Sequence, residues 1–139
     1  PAVLRARYNL PAAAVPSSTR STMAVAEFEG QMWDPKDVFL FTSGCHLANM
    51  TVATMVPPAG NDGNGTCAIP IIGQAACEEA LLDVEYILST APGVPLTDVY
   101  SSTFSLLDWA FAIGNLTAPP LVNSVSYGND EAQQTSPAY

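Results

Sequence analysis

The sequence predicts an α/β domain: a parallel sheet with helices on both faces. Three observations point there. Apolar runs of strand length alternate with segments of helical periodicity along the chain, the pattern of a parallel sheet with crossover helices. The strand candidates read as continuous apolar runs, as strands covered on both faces do. Charged residues make up only 12% of the 139 residues and hydrophobic ones 48%, which supports a packed core and argues against disorder.

Residues 1–20 are rich in Pro and Ala and form an N-terminal arm, with 5–11 a helical turn or an extended piece. The alternation occupies 21–139. Residues 22–28 (TMAVAEF) form a first strand ending near an acid, Glu27, with Gly30 as a breaker. Asp34 caps a helix with Pro35 at its first position, running to about Thr42. Residues 51–56 form a second strand, stopped by Pro57 and Pro58. Residues 60–66 (GNDGNGT) read as a surface loop.

The clearest helix spans about 74–90, where Cys77, Ala80, Leu81, Val84, Ile87 and Leu88 recur at three- and four-residue spacing. Pro92 and Gly93 end it. Residues 98–101 form a short strand. Thr103 caps a further helix, with Leu107, Ala110 and Phe111 inward and Gly114 as its stop. Residues 121–126 form a last buried strand, and the remainder from Gly128 is polar. Ligands of such sheets bind beyond the carboxyl ends of the strands, where Glu27, Ser126, Tyr127 and Gly128 lie.

Thirteen acidic residues stand against four basic ones, and Arg5, Arg7, Arg20 and Lys36 form no stripe. Nucleic acid is therefore excluded as a partner, and the acidity suits work at low pH. No apolar run reaches the ~20 residues of a membrane span. Sequons at Asn49, Asn64 and Asn115 point to a secretory route. The chain opens at Pro1 without a signal peptide, as expected of a mature chain whose leader has been removed. Cys45, Cys67 and Cys77 allow one internal disulfide, in any of three pairings. His46 is the sole histidine, so no multi-histidine zinc site exists here, and no metal ligands are assigned.

The chemistry is carried by Glu79 and Asp83, four apart on the long helix and so on one face, with Tyr86 a turn further on. Two carboxylates this close cannot both ionise cheaply and can share a proton, as a general base steadied by a second acid does. Acids at this spacing are also common on solvated helix faces, so spacing alone leaves both readings open. No Lys or Arg on the helix compensates them.

The string from Glu79 to Tyr86 (EALLDVEY), followed by 91–95 (APGVP), resembles the Glu-x-x-x-Asp helix of the sedolisins, the serine-carboxyl peptidases. Other blocks agree in order. Residues 1–11 (PAVLRARYNLP) resemble the mature start of the tripeptidyl peptidase branch, 24–27 its first strand with a terminal acid, and 121–131 (LVNSVSYGNDE) its Ser-(Trp/Tyr)-Gly strand end. The resemblance implies a subtilisin-like fold. It implies Glu79 as general base for a serine nucleophile, Asp83 as its partner and Glu27 as part of the supporting network. Ser126, Tyr127 and Gly128 would bind extended peptide substrate. Tyr127 would wall the pocket beside Glu79, although a core tyrosine is an equal reading.

The departure is as informative. The family's Gly-Thr-Ser-x-Ser nucleophile segment is absent: Gly65 and Thr66 are followed by Cys67, and Ser43 and Gly44 by Cys45. The oxyanion Asp is absent too, and Asp130 is no stand-in. The family's calcium site belongs to the missing C-terminal part. The expectation is therefore the N-terminal part of one peptidase catalytic domain, inactive alone and without a cofactor. The rest of that domain would be its partner, as the same or a separate chain. The destination would be extracellular or a lysosome- or vacuole-like acidic compartment, and the strand edge and sheet face left unpaired by such a cut would be covered by something else or border missing density. The rival reading is an inactive peptidase-derived fragment acting as a structural or interaction subunit. An ordinary subtilisin-type protease is excluded, because Glu79 stands where its histidine base would be.

Overall fold

The computed structural model describes residues 1–10, 21–58, 60–63, 65–128 and 130. Strands β1 (Met23–Phe28), β2 (Thr54–Val56), β3 (Leu96–Ser101) and β4 (Val122–Ser124) form one sheet in the order β2-β3-β1-β4. Every pairing is parallel, with Met23 beside Leu96 on one flank and beside Val122 on the other. Helices α1 (Ala2–Tyr8), α2 (Pro35–Gly44), α3 (Ile72–Thr90) and α4 (Leu106–Gly114) complete the fold, with a 3-10 turn at Thr66–Ala68.

β1 is the axis. All of its residues are buried, which explains its unbroken apolar run. Met23 and Val25 face α3, whose Ala80, Val84 and Leu88 pack with Val38 of α2 and Leu96 of β3. Phe28 points the other way, as strand alternation requires. Phe104, in the approach to α4, meets it edge-on at 5.2 Å. So α2 and α3 cover one face, and α4 lies against β3 on the other.

The local signals set the ends. Asp34 accepts a hydrogen bond from Lys36 N and caps α2, with Pro35 at the first position. α3 keeps its apolar face with Cys77, Ala80, Val84 and Leu88 buried, and begins at Ile72, two residues earlier than the periodicity suggests. Arg5 of α1 donates to the carbonyls of Ser89 and Thr90, placing a cation on orphan groups at the end of α3. Cys67 and Cys77 form the disulfide, joining the 3-10 turn to α3, and Cys45 stays unpaired and half-buried.

Several expectations are corrected. The paired part of β2 is Thr54–Val56, shorter than 51–56, and β3 begins at Leu96 rather than Asp98. The loop at 60–66 is not all surface, since Asn61 and Gly63 are buried beneath Trp33. α4 is capped by Ser105, whose side chain accepts from Asp108 N, not by Thr103. Its inward face is also turned: Leu106, Trp109, Ala112 and Ile113 are half-buried, whereas Leu107, Ala110 and Phe111 are exposed. The last strand is not buried: Val122 of β4 is 62% exposed. Residues 11–20, most of the polar tail and Asn64 lie outside the described residues.

Candidate active site

The carboxyl end of β1, the middle of α3 and the segment after β4 converge on a cleft of about 450 Å³. It is lined by Phe28, Glu29, Gln31, Glu79, Ser126, Tyr127 and Gly128. Each position follows from an element. Glu27 is the penultimate residue of β1 and points to the α3 side, alternating with Phe28. Glu79 and Asp83 sit one helical turn apart on α3. β4 runs parallel to β1, so the chain leaving it delivers residues 126–128 to the same end of the sheet.

The contacts are specific. Ser126 Oγ donates to Asp83 Oδ1 at 2.9 Å. Tyr127 Oη donates to Glu27 Oε2 at 3.1 Å. The Tyr127 ring packs edge-on against Phe28 at 4.8 Å and stacks with Phe104 at 6.2 Å. Tyr127 therefore lines the cleft with Glu79 and packs in an aromatic cluster, half-buried rather than in the core. Tyr86 turns away and packs on Phe41 of α2.

The electrostatics all run one way. Glu27 has 0% exposure. Burial, reinforced by the charges of Asp83 and Asp98, pushes its carboxyl up to about 9, against the bond from Tyr127. Burial raises Asp83 as well, opposed by the Ser126 hydroxyl. Glu79 is raised by burial, then by Asp83 and Glu78. Burial, with the nearby Glu27 charge, also raises the Tyr127 phenol, so it remains a donor. Glu27 Oε1 and Asp83 Oδ2 are both buried without a hydrogen-bond partner. At neutral pH Glu27 holds its proton, and its rise is reinforced by the neighbouring Asp83 and Glu79.

The remaining candidates lie elsewhere. Asn49 and Asn115 are exposed, as a glycan acceptor requires. Among the described residues Asp34, Asp37 and Cys67 form one group of potential metal ligands. It does not fit an ion: the Cys67 sulfur is in the disulfide, and Asp34 is engaged by the backbone N–H groups of Lys36 and Gly65. No helix among the described residues is long and apolar enough to cross a membrane.

Over 98% of its length the chain is 34% identical to "Tripeptidyl-peptidase 1" of Bos taurus, and equally covered it is 35% identical to that of Mus musculus and 33% to that of Homo sapiens. The chain belongs to the tripeptidyl peptidase branch of the sedolisin family. It spans 24% of the length of these relatives. No family model matches the chain, and no solved structure matches it significantly.

Sedolisin resemblance singled out Glu27, Glu79, Asp83, Ser126, Tyr127 and Gly128, and the fold brings all of them to one end of the sheet. Two groups escaped the sequence reading. Gln31 lines the cleft and carries no motif by which a single sequence would reveal it. Asp98 is fully buried, accepts from Trp33 Nε1 at 2.9 Å, and is pushed up to about 7 by burial. An acid inside an apolar strand (LTDVY) was the available signal.

Proposed function

We propose that this segment supplies the general-base half of an acid serine-carboxyl peptidase site. Glu79 takes the proton from an attacking serine hydroxyl and returns it to the leaving amine. Asp83, fixed by Ser126, shares a proton with Glu79 and orients it. Glu27 stays neutral below Asp83 and prevents a third charge from accumulating. Residues 126–128 offer backbone to an extended peptide, in the manner of an added strand. The serine and the acid that stabilises the oxyanion come from outside this segment, from the same or a separate chain, and calcium would be held there too. The substrate is a peptide, cleaved either by tripeptide release or internally. The exposed sequons at Asn49 and Asn115 and the disulfide suit an oxidising secretory route, and the raised acids suit an acidic extracellular or lysosome-like compartment.

The observation that supports this reading is the position of Glu79 on the cleft wall with Asp83, Ser126, Tyr127 and Glu27 around it. The test is the intact protein containing this segment, assayed at about pH 4 on peptides. Glu79→Gln should lower kcat by about 10²–10⁴-fold, the usual worth of a general base. Full activity in that variant would remove Glu79 from the role. A wild-type protein without peptidase activity would favour the rival, a structural or interaction subunit.

A further inference from the structure

Gln31 lies in the turn between β1 and α2, and its side-chain amide reaches two backbone groups of α3. Nε2 donates to Ala75 O at 3.0 Å, and Glu79 N donates to Oε1 at 3.2 Å. Ala75 O and Glu79 N are the acceptor and donor of a single i→i−4 pair of the helix ladder. A primary amide carries a donor and an acceptor side by side and so matches both. An ionised carboxylate offers only acceptors, and a lysine only donors. The next residue makes a parallel contact, Met32 N donating to Ala76 O at 2.7 Å.

The same segment is fastened from behind. Asn61 Nδ2 donates to Gln31 O at 3.2 Å. Trp33 N donates to Asn61 O at 3.2 Å, Gly63 N to Trp33 O at 2.8 Å, and the Trp33 indole to buried Asp98 of β3. Gln31 therefore has the sheet on one side and the Glu79 turn on the other. A side chain inserted beside the helix ladder fixes the local path of the helix.

We infer that Gln31 is a positioning residue for Glu79, holding that helical turn, and with it the carboxylate, at a set place in the cleft. The kinetic part of this inference rests on Glu79 being the base; the structural part does not. A base displaced by about 1 Å loses on the order of 10²-fold in rate.

The test uses the intact protein with two substitutions. Gln31→Leu keeps similar volume and deletes both hydrogen bonds. Gln31→Glu keeps them only while the introduced carboxyl is protonated, because a neutral carboxyl has one donor and one acceptor. Gln31→Leu should lower kcat by about 10–100-fold with KM within about twofold. Gln31→Glu should match wild type at about pH 3.5 and fall towards the Leu variant by about pH 6, as the carboxyl ionises from about 4.3 upwards. A wild-type kcat in Gln31→Leu, or a Gln31→Glu to wild-type ratio that is flat with pH, would overturn the inference. Hydrogen exchange at the Glu79 amide supplies a readout independent of catalysis. It should quicken in Gln31→Leu, and unchanged exchange would refute the clamp even if Glu79→Gln had shown that Glu79 is no base.

Discussion

Tyr127 joins two environments at one side chain. Its ring belongs to an aromatic cluster with Phe28 and Phe104, while its hydroxyl is the hydrogen-bond donor to the buried Glu27. The two contributions separate in Tyr127→Phe, which keeps the ring and deletes the donor. Glu27 then has both oxygens without a partner, since Oε1 already lacks one. Leaving a buried acceptor unsatisfied costs about 1–3 kcal/mol, so urea unfolding at pH 5 should show a loss of that size. The bond lowers the Glu27 pKa, so its removal should move the titration upward from about 9, measurable by carboxyl-carbon NMR. A downward movement would mean that the hydroxyl is not the partner that matters. At this scale the sequence was informative through one spacing and otherwise through resemblance. Glu79 and Asp83 were legible as a pair by their spacing. Glu27 and Tyr127, a hundred residues apart, meet through parallel strand pairing that no local pattern encodes.

Among the elements, α3 was legible and α4 was not, for a physical reason. On α3 the polar Glu78, Glu79, Asp83 and Glu85 interrupt the apolar residues at helical spacing, so one face is defined. On α4 nearly every position is apolar (LLDWAFAIG), so periodicity cannot select a face. The helix buries Trp109 and Ile113 partly and leaves Phe111 61% exposed. β4 misled similarly: Val122, and Leu121 just before it, are apolar and yet exposed, so an apolar run did not mark a buried strand. The start of α3 carries a constraint invisible in composition. Gly73 is buried in its first turn, and a Cβ there would overlap the backbone carbonyl of Cys67. The disulfide between Cys67 and Cys77 ties those segments together, so neither yields easily. Gly73→Ala should destabilise the protein by about 1–3 kcal/mol or more, despite the better helix propensity of alanine. A thermal midpoint equal to or above wild type would show that the turn relaxes freely.

Across the molecule, the raised acids give stability a direction in pH. The folded protein holds Glu27 up to about 9 and Glu85 and Asp98 up to about 7, against ordinary values of 4.5, 4.5 and 3.8. Burial is the leading cause in all three, and Glu85 also faces Asp37 of α2. Below the ordinary values both folded and unfolded chains are protonated, and these groups add no pH dependence. Above them the unfolded chain ionises while the folded chain keeps its protons. The folded state then binds more protons, so unfolding free energy falls as pH rises. The fall is steepest from about 4.5 to 7, where all three contribute, and continues to about 9 through Glu27 alone. For the fully buried Glu27 the slope approaches about 1.4 kcal/mol per pH unit; for the half-buried Glu85 solvent screening reduces it. Denaturant unfolding of the intact protein at pH 4.5, 6, 7 and 8.5 should therefore show a monotonic loss. Glu27→Gln, neutral at every pH, should flatten the part above 7 while leaving stability near pH 4.5 close to wild type. Stability that climbs between pH 4.5 and 7 would mean that these carboxyls ionise in the folded state. Glu27, at the end of β1, would then carry a full charge near Asp83 and Asp98.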